Sequence, residues 1–221
     1  MVERFFEGKD FNGEFKALIP KHYPKKYKSY IKEETNLLKL KTRGNNRILE
    51  AGVGIGRLIP KLAPFVKEFV GVDSAKLMLK KSKKIAKKFK NVKIIKCDLE
   101  KLGKRFSKGY FDYSLCVWNT LGNVKNEIKV LKELSKITKK DILVTVYKKG
   151  TLKDRINWYK KVGIKIKKID KHKEIFYSQS GLISKSYSLQ NLENLGKEAG
   201  LKIVSFKDLN KVMLFVEFAQ K

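Results

Sequence analysis

At 221 residues, 42% of them hydrophobic and with a formal net charge of +30, the chain is sized for one domain with a substantial core. No apolar run approaches the roughly 20 residues of a membrane helix, and residues 1–6 are too polar for a secretory leader, which predicts a cytoplasmic protein with no membrane partner. Two cysteines, Cys97 and Cys116, at the ends of apolar runs read as free thiols, and with the distant His22 and His172 they offer no zinc spacing, so no metal is expected.

Residues 1–45 read as a largely helical amino-terminal extension. Leu18-Ile19-Pro20 and Tyr23-Pro24 interrupt it, and beyond Lys25 the apolar positions Tyr27, Tyr30, Ile31, Leu37 and Leu38 approximate a helical stripe. Gly44-Asn45-Asn46 ends it with turn chemistry. A short strand over 47–51 runs into a glycine-rich turn and a helix over 56–66, with Leu58, Leu62 and Phe65 on one face and Pro60 in the first turn, where proline is tolerated. A second strand over 68–72 ends at Asp73. A helix from Ser74 to about 88 follows, with Leu77, Met78, Ile85 and Phe89 apolar, then a third strand over 92–97. The fourth strand covers 111–117, a helix covers 124–137 with Ile128, Leu131, Leu134 and Ser135 inward, and the fifth strand covers 142–147.

This alternation implies a parallel sheet with helices on both faces. Ligands of such sheets lie outside the strand carboxyl ends. Glu50, Asp73, Asp98 and Trp118-Asn119 fall at four successive strand ends. The rhythm breaks after Gly150: a helix with Ile156, Tyr159 and Val162, runs over 164–169 and 174–177 that alternate like antiparallel strands, and a helix over 189–199 capped near Ser188 and stopped by Gly200. Runs over 201–206 and 212–218 read as a hairpin at the sheet edge.

The turn itself reads Glu50-Ala51-Gly52-Val53-Gly54-Ile55-Gly56-Arg57. Glycine at every second position leaves one side of the turn without side chains, so a ligand can approach the backbone closely. A dinucleotide fingerprint would place its last glycine at 57, which is Arg57. An acid at the end of the next strand is placed to accept hydrogen bonds from ribose hydroxyls. Joined to Asp73, this Glu-x-Gly-x-Gly-x-Gly pattern resembles the first motif of class I S-adenosylmethionine-dependent methyltransferases, and the resemblance extends over residues 47–218. It implies an α/β fold with a doubly wound seven-stranded sheet, mostly parallel with one antiparallel strand near the C-terminus. Residues 46–221 would form the methyltransferase domain, with 1–45 as a helical lid and 150–187 as an insertion on the substrate side. By the same resemblance Gly52, Gly54 and Gly56 line the methionine part of S-adenosyl-L-methionine, and Glu50 accepts from its amino group. Asp73 holds the ribose hydroxyls, with Ser74 and Met78 beside the adenosine. Asp98 and Leu99 meet the adenine, and Trp118 and Asn119 border the methyl donor. Each position also has a structural reading: Asp98 as a helix cap, Met78 as core, Trp118 packed against the amino-terminal segment, Glu50 paired with a surface lysine.

Methyl transfer needs alignment and exclusion of water more than covalent help. No catalytic base stands out; Tyr147, Tyr177, Tyr187 and His172 are candidates only for the acceptor pocket. The run Asp112 to Asn123 lacks the prolines common in methyltransferases of exocyclic base amines, and Cys116 follows Leu115 inside a strand rather than a proline or threonine. Asn119-Thr120-Leu121-Gly122 is similar to methyltransferases of small amines and other small metabolites. The expected partner is therefore a small-molecule acceptor. RNA is the alternative, because 52 basic residues face only 22 acids. Only six of the 52 are arginine, the better residue for bidentate phosphate recognition. Such lysine enrichment also suits a thermophile or an AT-rich genome. Phe5, Phe6, Phe11, Phe15, Tyr23, Tyr27 and Tyr30, interleaved with Lys21, Lys25, Lys26 and Lys28, either stack bases or dock an amphipathic helix on the core. A nucleic-acid-binding protein on a degenerate scaffold is the non-enzymatic alternative; intact Glu50, Gly52, Gly54, Gly56 and Asp73 argue against it.

Overall fold

Near-continuous apolar runs form central strands because both sheet faces are covered. In the computed structural model, which describes residues 16–221, these are β1 (Gly44–Ala51), β2 (Val66–Asp73), β3 (Val92–Lys96), β4 (Tyr113–Cys116) and β5 (Asp141–Lys148), all mutually parallel. Beyond them β6 (Ile166–Asp170), β7 (Ile175–Ser178) and β8 (Ile183–Ser184) make a small antiparallel sheet, and the two-residue β9 (Ser186–Tyr187) pairs in parallel with β5. The hairpin β10 (Leu201–Leu209) and β11 (Met213–Gln220) completes the main sheet in the order β10-β11-β5-β4-β1-β2-β3, with β11 antiparallel to β5. This is the mostly parallel seven-stranded sheet with an antiparallel strand near the C-terminus, enlarged by the short β9 ladder.

The helices are α1 (Lys25–Thr42), α2 (Ile59–Leu62), α3 (Lys76–Ala86), α4 (Thr120–Asn123), α5 (Glu127–Ile137), α6 (Leu152–Val162) and α7 (Leu189–Glu198). One apolar layer joins Tyr27, Tyr30 and Leu38 of α1 to Leu58, Leu62, Leu115, Leu143 and Trp158. The opposite layer joins Leu131 and Leu134 of α5 and Leu192 of α7 to Leu49, Val70, Val144 and Phe218.

Several expected boundaries move, each for a local reason. The helix over 56–66 is a single turn, α2, followed by a 3-10 turn, Ala63–Phe65, and β2 starts at Val66. Pro64 has no N–H to bond Pro60, and its ring excludes a continuous α-helix; Phe65 is left exposed, with Lys39 Nζ 3.5 Å from its ring centre. The helix over 124–137 starts only at Glu127, as α5, because the Asn126 side chain accepts from Lys129 N at 2.9 Å and caps it there, and the separate turn α4 lies before it. Its buried face is Val130, Leu131, Leu134 and Ile137, with Ile128 and Ser135 half-buried. Gly44-Asn45-Asn46 is the extended start of β1 rather than a turn. Phe111 lies outside β4 and forms only an isolated bridge with Thr138.

Tyr27 and Tyr30 are fully buried and Tyr23 nearly so, so α1 docks on the core and these rings are not presented to a nucleic acid. Phe5, Phe6, Phe11 and Phe15 lie outside the described residues. Both cysteines are free, Cys116 buried and Cys97 half-buried. Among the described residues no helix is long and apolar enough to cross a membrane, and no His, Cys, Asp or Glu group has metal-binding geometry.

Candidate active site

The carboxyl ends of β1 to β4 open into a cavity of about 480 Å³. Its wall contains Glu50, Gly52, Gly54, Asp73, Ser74, Met78, Asp98, Leu99 and Trp118. The turn after β1 is held by Asp73, whose two carboxylate oxygens accept from Gly54 N and Ala75 N, each at 2.9 Å. Burial raises the Asp73 pKa above its ordinary value, and these backbone donors only partly offset it. Gly52 and Gly54 both have positive φ, +77° and +52°. A Cβ on Gly52 would lie 2.6 Å from Thr120 Cγ2, whereas one on Gly54 would meet nothing closer than 3.9 Å. Gly52 is thus a packing glycine, and Gly54 presents bare backbone.

Glu50 has a different environment. It is 4% exposed, it makes no ion pair among the described residues, and its Oε2 has no hydrogen-bond partner. Burial pushes its pKa up to about 8, against the opposing charge of Arg57. Asp98 both lines the cavity and caps the 3-10 turn Leu99–Lys104 by accepting from Glu100 N at 3.0 Å. Met78 is buried and contributes a wall. Trp118 stacks on Tyr30 of α1 with ring centres 5.5 Å apart and also borders the cavity.

Two expected residues are not part of this wall. Gly56 packs the turn onto α3: a Cβ there would lie 2.8 Å from Ile59 Cδ1 and 3.2 Å from Ser82 Cα. Asn119 is 1% exposed and turned beneath β5, its Oδ1 accepting from Tyr147 N at 3.1 Å and its Nδ2 donating to Ser184 Oγ at 3.4 Å. The cause is two successive left-handed residues, Trp118 (φ 55°) and Asn119 (φ 61°). Their N–H groups donate to Thr145 Oγ1 at 2.8 Å and Thr145 O at 2.9 Å, and these bonds hold the strained backbone.

Arg57 is the residue that sequence reasoning missed. It lines the cavity, and its Nη2 lies 2.6 Å from Glu34 Oε2 while its Nη1 is buried without a partner. Burial opposes its charge, but Glu34, Tyr30 and Glu50 outweigh that, and the guanidinium stays protonated. Glu34 is fully buried; its Oε1 accepts from the Tyr30 hydroxyl and from Thr145 Oγ1, the latter at 2.6 Å. The available signal was an acid, the second of Glu33-Glu34, at i+4 from Tyr30 and i−4 from Leu38, inside the apolar stripe of α1.

A second cavity of about 50 Å³ adjoins the first, sharing Leu18, Trp118 and Asn123 with it. Its other walls are Ala17, Asn119, Tyr147, Trp158, Tyr159, Ile164 and Leu182. Tyr147 is therefore brought to it, whereas Tyr177, Tyr187 and His172 are not. Tyr187 instead donates to Glu127 Oε1 at 3.1 Å, and His172 is exposed.

Residues 48–141 match a family model described as a methyltransferase domain. No curated protein matches the chain. The PH0226 protein of Pyrococcus horikoshii OT3 superposes with a TM-score of 0.73 at 20% identity, over 94% of this chain and 99% of that one. Magnesium protoporphyrin IX methyltransferase from Synechocystis PCC 6803, solved with bound SAH, gives 0.70 at 13% identity over 100% and 98%. The CcbJ methyltransferase of Streptomyces caelestis gives 0.70 at 16% identity over all of both chains. At these identities the likenesses show the fold.

Proposed function

We propose that the chain, whose residues 48–141 match a methyltransferase domain, is a class I S-adenosylmethionine-dependent methyltransferase and that it methylates a nitrogen or oxygen nucleophile of a small molecule. The observation that carries this reading is the pair of buried, unpartnered polar atoms, Glu50 Oε2 and Arg57 Nη1, lining one cavity beside the bare backbone of Gly54. An acceptor and a donor left unsatisfied in a cavity wall are complementary to the ammonium and carboxylate of an amino-acid tail. Asp73 keeps lone pairs free for ribose hydroxyls beyond those used by Gly54 and Ala75. Met78 and Leu99 supply apolar faces for a base, and Asp98 an acceptor for its amine. When bound, S-adenosylmethionine supplies a methyl group already activated as a sulfonium. The chain's own part is to orient the acceptor beside Trp118 and to exclude water.

The acceptor site in this reading is the smaller cavity. In a chain with 33% charged residues, no Lys, Arg, Asp or Glu is among its lining residues, which favours a small, desolvated group over a phosphate backbone. In this proposal 46–221 is the catalytic domain. Residues 16–45 and 150–187 cover it, a reading supported by the contribution of Leu18, Trp158, Tyr159 and Leu182 to the small cavity.

The test is calorimetric titration with S-adenosylmethionine, followed by incubation of methyl-labelled cofactor with separated metabolite, RNA and protein fractions of the native cell. Saturable heat and label in the metabolite fraction support the proposal. Absence of cofactor heat, or label confined to RNA, overturns it.

A further inference from the structure

The fully buried Arg155 has no carboxylate within ion-pair distance among the described residues. It lies on α6 behind Tyr147, its guanidinium carbon 4.8 Å from the ring centre. Nη2 donates to Glu174 O at 2.9 Å and Ser186 Oγ at 2.7 Å, and Nη1 to Ser184 O and Ser184 Oγ, both at 3.0 Å. The Glu174 carboxylate reaches it only through the Ser186 hydroxyl, which donates to Glu174 Oε2 at 2.8 Å.

A guanidinium can only donate, so it sets the direction of the bonds that follow. Ser184 Oγ accepts from Arg155 and from Asn119 Nδ2, so its own proton goes to the Tyr159 hydroxyl, 3.1 Å away. Tyr159 in turn donates to the Tyr147 hydroxyl at 3.5 Å. The Tyr147 proton has no acceptor among the described residues, and Tyr147 lines the small cavity. The row Arg155–Ser184–Tyr159–Tyr147 therefore starts on a buried cation and ends on a polarised O–H at the cavity wall. Such a row favours an oxyanion at its end.

We propose that the small cavity is a carboxylate site and that the methyl acceptor is the carboxylate of a small organic acid, bound through the Tyr147 hydroxyl. This rests on the small-molecule methyl transfer proposed above and narrows it. The carboxylate oxygen uses a lone pair to form the O–CH3 bond as the C–S bond of the sulfonium breaks, its electron pair staying on sulfur. A neutral methyl ester and a neutral thioether result, and no proton moves. A site without a base suits that chemistry. Burial holds the Tyr147 hydroxyl far above its ordinary pKa, so it stays protonated, donates a hydrogen bond and does not act as a base.

The chain has two tryptophans, Trp118 and Trp158, and both line this cavity, so intrinsic fluorescence reports its occupancy. Propionate and butyrate are titrated into the full-length protein saturated with S-adenosylhomocysteine, alongside propionamide and butylamine. The expected result is a saturable change with the acids and binding weaker by about tenfold or more with the amide and the amine. Tyr147→Phe keeps the ring and removes the donor. It is expected to weaken acid binding by about tenfold while changing cofactor affinity by less than about twofold. In the second arm, label transferred from the methyl-labelled cofactor to the metabolite fraction is treated with alkali and released as volatile methanol. Equal or tighter binding of the amine, no fluorescence change with any probe, or unchanged acid binding in Tyr147→Phe overturns the carboxylate assignment. Alkali-stable label in small molecules overturns it too and leaves the broader reading standing. Label absent from small molecules removes both.

Discussion

At the scale of single residues, the role proposed for Glu50 would couple cofactor binding to pH. Its pKa is raised from 4.5 to about 8, first by burial, so the free protein holds it mostly protonated at neutrality. An ammonium group bound beside it favours the carboxylate. Binding of S-adenosylmethionine at pH 7 is therefore expected to release up to one proton and to tighten as pH rises, levelling off above about 8. Calorimetry in two buffers of different ionisation enthalpy reads the release, and Glu50→Gln is expected to abolish it and to weaken binding by about 1.5–3 kcal/mol. The same shift acts on folding with the opposite sense. The folded state holds a proton that the unfolded chain loses above its ordinary pKa, so this group's contribution to stability declines from pH 4.5 to about 8. The glycines of the turn separate in the same way. Gly52→Ala meets Thr120 at 2.6 Å with φ +77° and is expected to cost about 1–3 kcal/mol in denaturant unfolding. Gly54→Ala pays only for its left-handed backbone, about 1–2 kcal/mol, and is expected to lose cofactor affinity because its Cβ occupies the approach to the backbone. That Glu50, Gly52, Gly54 and Asp73 come together at one cavity was legible because a turn of this kind is local in sequence. Gly56 has the right residue type but faces α3. Asn119 could not be placed without the left-handed turn at 118–119, which no local pattern announces.

At the scale of elements, α1 buttresses the cavity wall from behind. Its Glu34 bonds Arg57 at the cavity and Thr145 on β5, and Thr145 Oγ1 accepts from Trp118 N. One buried carboxylate thereby fixes both a cavity cation and the backbone that presents Trp118. Glu34→Ala would leave Arg57 charged and buried with no carboxylate, a change expected to cost about 3–5 kcal/mol. The urea midpoint measures it. Cofactor affinity should fall with it, because Arg57 loses its orientation. The helical stripe of α1 was legible from spacing alone. Its partner Thr145 lies 111 residues away, and only the sheet order brings the two together. The hairpin and the antiparallel pair in 164–177 were equally legible from alternation, while β9, two residues long, carries too little pattern to be seen. Helix boundaries erred where side chains decide them, at Pro64 and at Asn126.

At the scale of the whole molecule, the question is what a charge of +30 does. Nucleic-acid docking needs a basic stripe on one face. Here exposed lysines decorate α1 (Lys25, Lys26, Lys28) and α3 (Lys80, Lys83, Lys84) beside one core layer, and α5 (Lys132, Lys136) and α7 (Lys197) beside the other. The tyrosines that could have stacked bases, Tyr27 and Tyr30, are fully buried. What remains is attraction between lysine ammonium groups and phosphates, without directional recognition. Binding to bulk tRNA is therefore expected at low salt, with the logarithm of affinity falling linearly and steeply with the logarithm of salt concentration. Little difference between RNA sequences is expected, because phosphate contacts carry no sequence information. No methyl label should enter the RNA at any salt concentration, since the small cavity has neither the size nor the lining for a nucleotide. Filter binding across a salt series, with parallel scintillation counting of the same RNA, tests both halves. Salt-resistant binding to one RNA, or stoichiometric label in it, would mean that the surface charge serves recognition.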